Sequence, residues 1–66
     1  MLVKINGAAD EVPDKSSVRD VLVSRSIPLE VAIVALNGEV VKREDWQSTV
    51  LACDDDLEII RIIGGG

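Results

Sequence analysis

Two Asn-Gly dipeptides, Asn6-Gly7 and Asn37-Gly38, limit the folds open to this chain more than any other feature. Both residue types tolerate the positive φ angles of a two-residue hairpin turn, and each pair follows an apolar run. The first hairpin is predicted from Met1 to Ile5, with Met1, Val3 and Ile5 on one face and Leu2 and Lys4 on the other. Its return strand is about Ala8 to Val12, closed by Pro13-Asp14. The second hairpin joins Val31–Leu36 to Glu39–Val41. Val31–Leu36 is an almost unbroken run rich in Val and Ile, so its length predicts a strand with both faces covered or nearly so.

A helix fits between the hairpins. Ser17 followed three residues later by Asp20 makes a capping box, in which serine oxygen and aspartate carboxylate meet backbone N–H groups of the first turn. Val18, Val21 and Leu22 fall at i, i+3 and i+4 and form the apolar stripe, leaving Arg19, Asp20 and Ser24 toward water. Pro28 disfavours helical angles at Ile27, so the helix is expected to end near Arg25 or Ser26. Beyond the second hairpin, Arg43-Glu44-Asp45-Trp46 predicts a short polar turn with Trp46 as a lid on the core. Thr49–Ala52 reads as a short extended piece, and Leu57–Ile63 as the last strand, interrupted by Glu58 and Arg61. The order β-β-α-β-β-β predicts an α+β fold with a mixed sheet of about five strands and one helix packed on one face. A ubiquitin-like β-grasp, with the first and last strands parallel at its centre, satisfies this order. A small barrel remains open, although a lone helix after the first hairpin argues against it.

At 66 residues the chain makes one domain, of a size that buries only about 60% of its unfolded surface. Its residues are 47% hydrophobic, enough for one core and too apolar for intrinsic disorder. The net charge of −5 and the run Asp54-Asp55-Asp56 would repel a phosphate backbone, so no nucleic-acid partner is expected. No segment resembles a signal peptide or approaches the ~20 apolar residues of a membrane span. A cytoplasmic location is expected, with no membrane partner. Cys53 is the only cysteine and histidine is absent. An internal disulfide, the usual zinc ligand sets and a Cys-His or Ser-His nucleophile pair are thereby excluded. Cys53 is expected to be an inert thiol, buried or half-buried.

The chemically distinctive element is the ending Ile62-Ile63-Gly64-Gly65-Gly66. A domain over residues 1–63 is expected to carry a flexible glycine tail over 64–66. Lacking Cβ atoms, Gly64 and Gly65 suit a narrow slot in a partner, and the three glycines add roughly 10 Å of reach. The group so presented is the α-carboxylate of Gly66. No phosphate-binding loop of the Gly-x-x-x-x-Gly-Lys type is present, and Asp10, Glu11 and Asp14 lie on polar segments without a visible pocket. An intrinsic enzyme is therefore not expected, nor is a cofactor or a metal. Arg61, set in an apolar strand, marks either a partner-facing position or ordinary solvent exposure.

The whole chain resembles the ThiS branch of the ThiS/MoaD sulfur carriers, small β-grasp proteins ending in Gly-Gly. The resemblance rests on the Asn6-Gly7 hairpin, the helix start Ser17-Val18-Arg19-Asp20-Val21-Leu22 and the apolar strand leading to Asn37. It continues through Val41-Lys42-Arg43-Glu44-Asp45-Trp46, similar to the family's Val-Pro-Arg-x-x-Trp, to the acidic turn and Gly65-Gly66. Lys42 replaces the usual proline, which bears on the stiffness of that loop, and Gly64 lengthens the tail to three glycines.

The resemblance implies a carrier with no catalytic group of its own. A ThiF-like adenylating enzyme would join the Gly66 carboxylate to AMP. A cysteine desulfurase or sulfurtransferase would supply persulfide sulfur, leaving a thiocarboxylate. A ThiG-like thiazole synthase would receive that sulfur in thiamine biosynthesis. A molybdopterin-synthase small-subunit-type carrier, a ubiquitin-like protein modifier joined through Gly66 to lysines, and a plain interaction domain remain alternatives at this point.

Overall fold

The Asn-Gly sites do turn the chain as their composition demands. In the computed structural model, which describes residues 1–62, Asn6 and Gly7 take φ 51° and 84°, and Asn37 and Gly38 take 51° and 86°. The first turn joins β1 (Leu2–Ile5) to β2 (Ala8–Glu11), and the second joins β3 (Ala32–Leu36) to β4 (Glu39–Val41). The helix α1 (Val18–Ser24) lies between the hairpins, and β5 (Asp56–Arg61) follows them. The sheet order is β2-β1-β5-β3-β4. β1 and β5 run parallel at the centre, pairing Lys4 with Asp56 and Ile5 with Leu57, and the other neighbours are antiparallel. This is the β-grasp arrangement that the element order predicts.

The helix begins where its cap is built. Ser17 Oγ accepts from the Asp20 N–H at 3.0 Å, and the Asp20 carboxylate accepts from the Ser17 N–H at 2.9 Å. Two otherwise orphaned donors of the first turn are thus satisfied reciprocally. The helix stops at Ser24, with Arg25 as its C-cap and Ser26 at φ 58°, ahead of Pro28. Its buried stripe is Val18, Val21 and Leu22. Against it pack Val3 and Ile5 of β1, Ala32 and Val34 of β3, and Leu57 and Ile59 of β5, with Leu51 and Trp46 closing the edge. Trp46 is 2% exposed, as a core lid should be.

The open side of the sheet departs from expectation. β3 buries Ala32 and Val34, while Ile33 is 39% exposed. One helix covers one face, so a Val/Ile-rich run need not be sheltered on both. The strand also starts at Ala32, because Leu29–Val31 form a short 3₁₀ turn after Pro28. β5 begins at Asp56, one residue before its first core side chain. There Asn37 gives its N–H to the Asp56 carbonyl (2.8 Å), and its side-chain oxygen takes the Asp56 N–H (2.9 Å). Thr49–Ala52 contributes an isolated bridge, Val50 with Ser17, in place of a strand.

Candidate functional site

Every residue leading to the glycines passes through β5, so the placement of this strand is the first property of the site. β5 is held by β1 on one side and β3 on the other. Each hairpin turn adds a side-chain brace. Asn6 Oδ1 accepts from the Ile59 N–H at 2.8 Å, while Asn37 engages Asp56 and, through Nδ2, the Asp55 carboxylate at 3.1 Å. Asparagine is thus used twice over, for its tolerance of positive φ and for an amide that reaches across to β5. The sequence signalled the first use and not the second, because the bond partner of Asn6 lies 53 positions away.

The Arg43–Trp46 loop stabilises the same architecture. Arg43 sits 6.0 Å from the Trp46 ring centroid and donates to the Glu30 carbonyl at 3.1 Å. Trp46 Nε1 donates to the Val41 carbonyl at 2.9 Å, which lets the indole be buried with its one donor satisfied. Lys42, where proline is usual, has φ −65° and ψ 146°. A proline ring would impose that φ, so the loop keeps its path without one.

Arg61 is exposed at the end of β5. By strand alternation it shares the face of Leu57 and Ile59, beyond the end of α1. There it lines an open concavity of about 410 Å³ with Asn6, Arg25, Ile27 and Ile59. Arg25 is ion-paired with Asp10 of β2. The sequence did not single out Arg25, since only the fold brings the helix C-cap to the end of β5. The opposite, helix-free face carries Ile33 paired with Ile60, and Val40 paired with Ala35, with Ile62 following. Ile33, Val40, Ile60 and Ile62 are all exposed. Alternation within β3 and β5 was the signal that could have found this patch. Gly64, Gly65 and Gly66, the expected reactive segment, lie outside the described residues together with Ile63.

Cys53 is exposed, contrary to the expectation of a buried or half-buried thiol. It rides the outside of a turn in which Asp54 takes φ 69° and the Asp55 carboxylate accepts from the Ala52 N–H at 2.7 Å. Asp14 does border a hollow, a cleft of about 270 Å³ between the loop after β2 and α1 that also touches Asp20. The Asp20 carboxylate there is already committed to the helix cap. Among the described residues no group of three or more His, Cys, Asp or Glu side chains could hold a metal, and no helix is long and apolar enough to cross a membrane.

Comparison with known proteins matches these features to one group. The family model described as the ThiS family matches residues 3–66. The sulfur carrier protein ThiS of Bacillus subtilis (strain 168) is 30% identical over 53 residues, covering 80% of each chain. A crystal structure of the thiamine biosynthesis protein ThiS from Geobacter metallireducens has 30% identity and a TM-score of 0.86, with both chains fully covered. A solution NMR structure of a thiamine biosynthesis protein from the same organism gives 30% identity and a TM-score of 0.84, covering all of this chain and 88% of that one.

Proposed function

The chain belongs to the ThiS family, and from that premise we propose that it is a sulfur carrier of thiamine biosynthesis, acting as a co-substrate through the Gly66 carboxylate. The observation that carries the reading is the position of β5. The strand leading to Gly64, Gly65 and Gly66 is the central one, braced by both asparagine turns, so its exit is fixed relative to the rest of the sheet.

The chemistry follows from what a carboxylate lacks. Its charge is delocalised and its leaving group would be oxide, so it must be activated. Attack of a Gly66 carboxylate oxygen on the α-phosphorus of ATP, with loss of pyrophosphate, gives an acyl-adenylate. A cysteine persulfide then displaces AMP, and a second thiol reduces the resulting acyl disulfide to free the thiocarboxylate. That terminal sulfur is the nucleophile delivered to a thiazole synthase. The ThiF-like adenylating enzyme and the sulfur donor supply the catalytic groups. Gly64 and Gly65 let the tail enter their active sites without side-chain obstruction. The exposed residues Ile33, Val40, Ile60 and Ile62 form the face that seats on the adenylating enzyme, contiguous with the root of the tail. A reducing cytosol suits this thiol chemistry.

The test is a reconstitution. Incubation with a ThiF-like enzyme, ATP and a persulfide donor is expected to raise the intact mass by the difference between sulfur and oxygen, on the peptide that ends in Gly66. Persistence of the carboxylate with a verified partner and donor overturns the reading. Branched peptides on lysine would instead establish the modifier alternative. Transfer of sulfur to a molybdopterin precursor, and not to a thiazole precursor, would establish the molybdopterin one.

A further inference from the structure

Antiparallel pairing with β3 fixes which way each residue of β5 turns its backbone. Asn37 N–H meets the Asp56 carbonyl, and Ile62 N–H meets the Val31 carbonyl, so the even-numbered residues face β3. The odd-numbered residues Leu57, Ile59 and Arg61 therefore face β1. β1, however, ends at Ile5. Asn6 gives its N–H to the Leu57 carbonyl at 2.9 Å, its side chain takes the Ile59 N–H, and the chain then turns away through Gly7. Among the described residues nothing pairs with the Ile59 carbonyl or the Arg61 N–H. Such an unpaired acceptor and donor, two residues apart on the same edge, form a template for an added strand.

The surroundings of this edge define what would fit. The concavity beneath it is lined by Asn6, Ile27 and Ile59 together with Arg25 and Arg61. Arg25 pairs with Asp10 but has five donors, leaving several for a further acceptor. In a chain of net charge −5, Arg25, its partner Asp10 and Arg61 leave one net positive charge at this hollow. An acidic segment is attracted here and repelled by most of the remaining surface. Side chains alternate across a strand, so every second residue of an added one would point toward Arg25 and Arg61. Those between would lie on the opposite face beside Ile60, where apolar groups are favoured.

We infer that the free edge of β5 at Ile59 and Arg61 takes, as an added strand, an extended segment of the adenylating enzyme in which acidic and apolar residues alternate. One residue of that segment gives its N–H to the Ile59 carbonyl and accepts from the Arg61 N–H. Its neighbours place carboxylates on Arg25 and Arg61. The inference rests on the proposed function for the identity of the partner, while the edge and its charge stand independently of that function. Its consequence is that the root of the tail is gripped at the residue before Ile62, so the glycines are aimed as well as delivered.

Titration of ¹⁵N-labelled protein with the blocked peptide acetyl-Val-Glu-Val-Glu-Val-amide tests the edge without any enzyme. The Ile59 and Arg61 amides are expected to shift, Arg61→Glu to weaken the effect at least fivefold, and a lysine-for-glutamate peptide to leave them unmoved. Unmoved amides with the glutamate peptide, or equal shifts with the lysine peptide, overturn the inference. Undiminished binding of a glutamate peptide N-methylated at its valines overturns strand addition. Adenylation kinetics then identify the occupant. Arg61→Glu is expected to raise KM for the carrier about tenfold with kcat little changed, and an unchanged KM removes the adenylating enzyme as the partner. Failure of wild-type adenylation would defeat the proposed function, and leave the peptide result to decide the edge.

Discussion

Lys42 shows how little a departure from a family pattern costs when the backbone already has the required angles. Its φ of −65° is proline's own, its ψ of 146° is extended, and Val41 before it lies in a strand, the conformation favoured ahead of proline. No backbone partner meets the Lys42 N–H among the described residues. Lys42→Pro is therefore expected to stabilise the protein by about 0.4–1 kcal/mol, chiefly by restricting the unfolded chain. A higher urea midpoint with an unchanged slope would establish it, and a lower midpoint would contradict it. Trp46 is the opposite case, a buried side chain whose indole N–H is bonded to Val41. Trp46→Ala should cost about 3–5 kcal/mol, read in the same unfolding experiment. Cys53, expected from the sequence to be an inert thiol, buried or half-buried, is exposed. The Asp55 carboxylate accepts from the Ala52 N–H across the turn that carries Cys53, a contact that composition does not reveal. Cys53→Ser should accordingly change stability by less than about 0.5 kcal/mol and leave sulfur loading intact. Loss of loading in the folded variant would assign the thiol a role.

At the scale of elements, local chemistry carried the prediction wherever the determining groups lie close in sequence. The Asn-Gly turns, the Ser17–Asp20 box and the Pro28 stop are all contacts within a few residues, and each element formed where they placed it. What escaped was the cross-chain bracing of β5, together with the concavity that joins Arg25 to Arg61, because both arise only when distant elements meet. Asn37 allows the two contributions to be separated. Asn37→Gly keeps the positive φ and loses the side-chain bonds to Asp55 and Asp56. Asn37→Ala loses the bonds and also places an ordinary side chain in the left-handed region, which costs roughly 1–2 kcal/mol more. The alanine variant is expected to melt below the glycine variant, with faster amide exchange at Asp56 in both. Equal melting temperatures would mean that the turn conformation contributes nothing beyond the side-chain bonds.

For the molecule as a whole, fold and chemistry are expected to separate along the chain. The core is built from residues between Val3 and Ile59, so changes beyond it should leave stability alone. Gly65→Val is the sharpest probe. Its branched side chain restricts the backbone and widens a segment proposed to thread a passage fitted to bare backbone. Melting should be unchanged, while adenylation by a ThiF-like enzyme should fall by orders of magnitude. One alanine added after Gly66 tests position without adding bulk before it. It shifts the carboxylate by about 3.5 Å, and displacements of about 1 Å already cost on the order of 100-fold in rate. Pyrophosphate exchange and thermal melts on the same samples read both properties together. Two variants that melt like the parent but fail to exchange would place the reactive group at Gly66 and the recognition of its path in the glycines. Undiminished exchange in both would mean that activation occurs elsewhere, and would end the carrier reading while leaving the β-grasp domain intact.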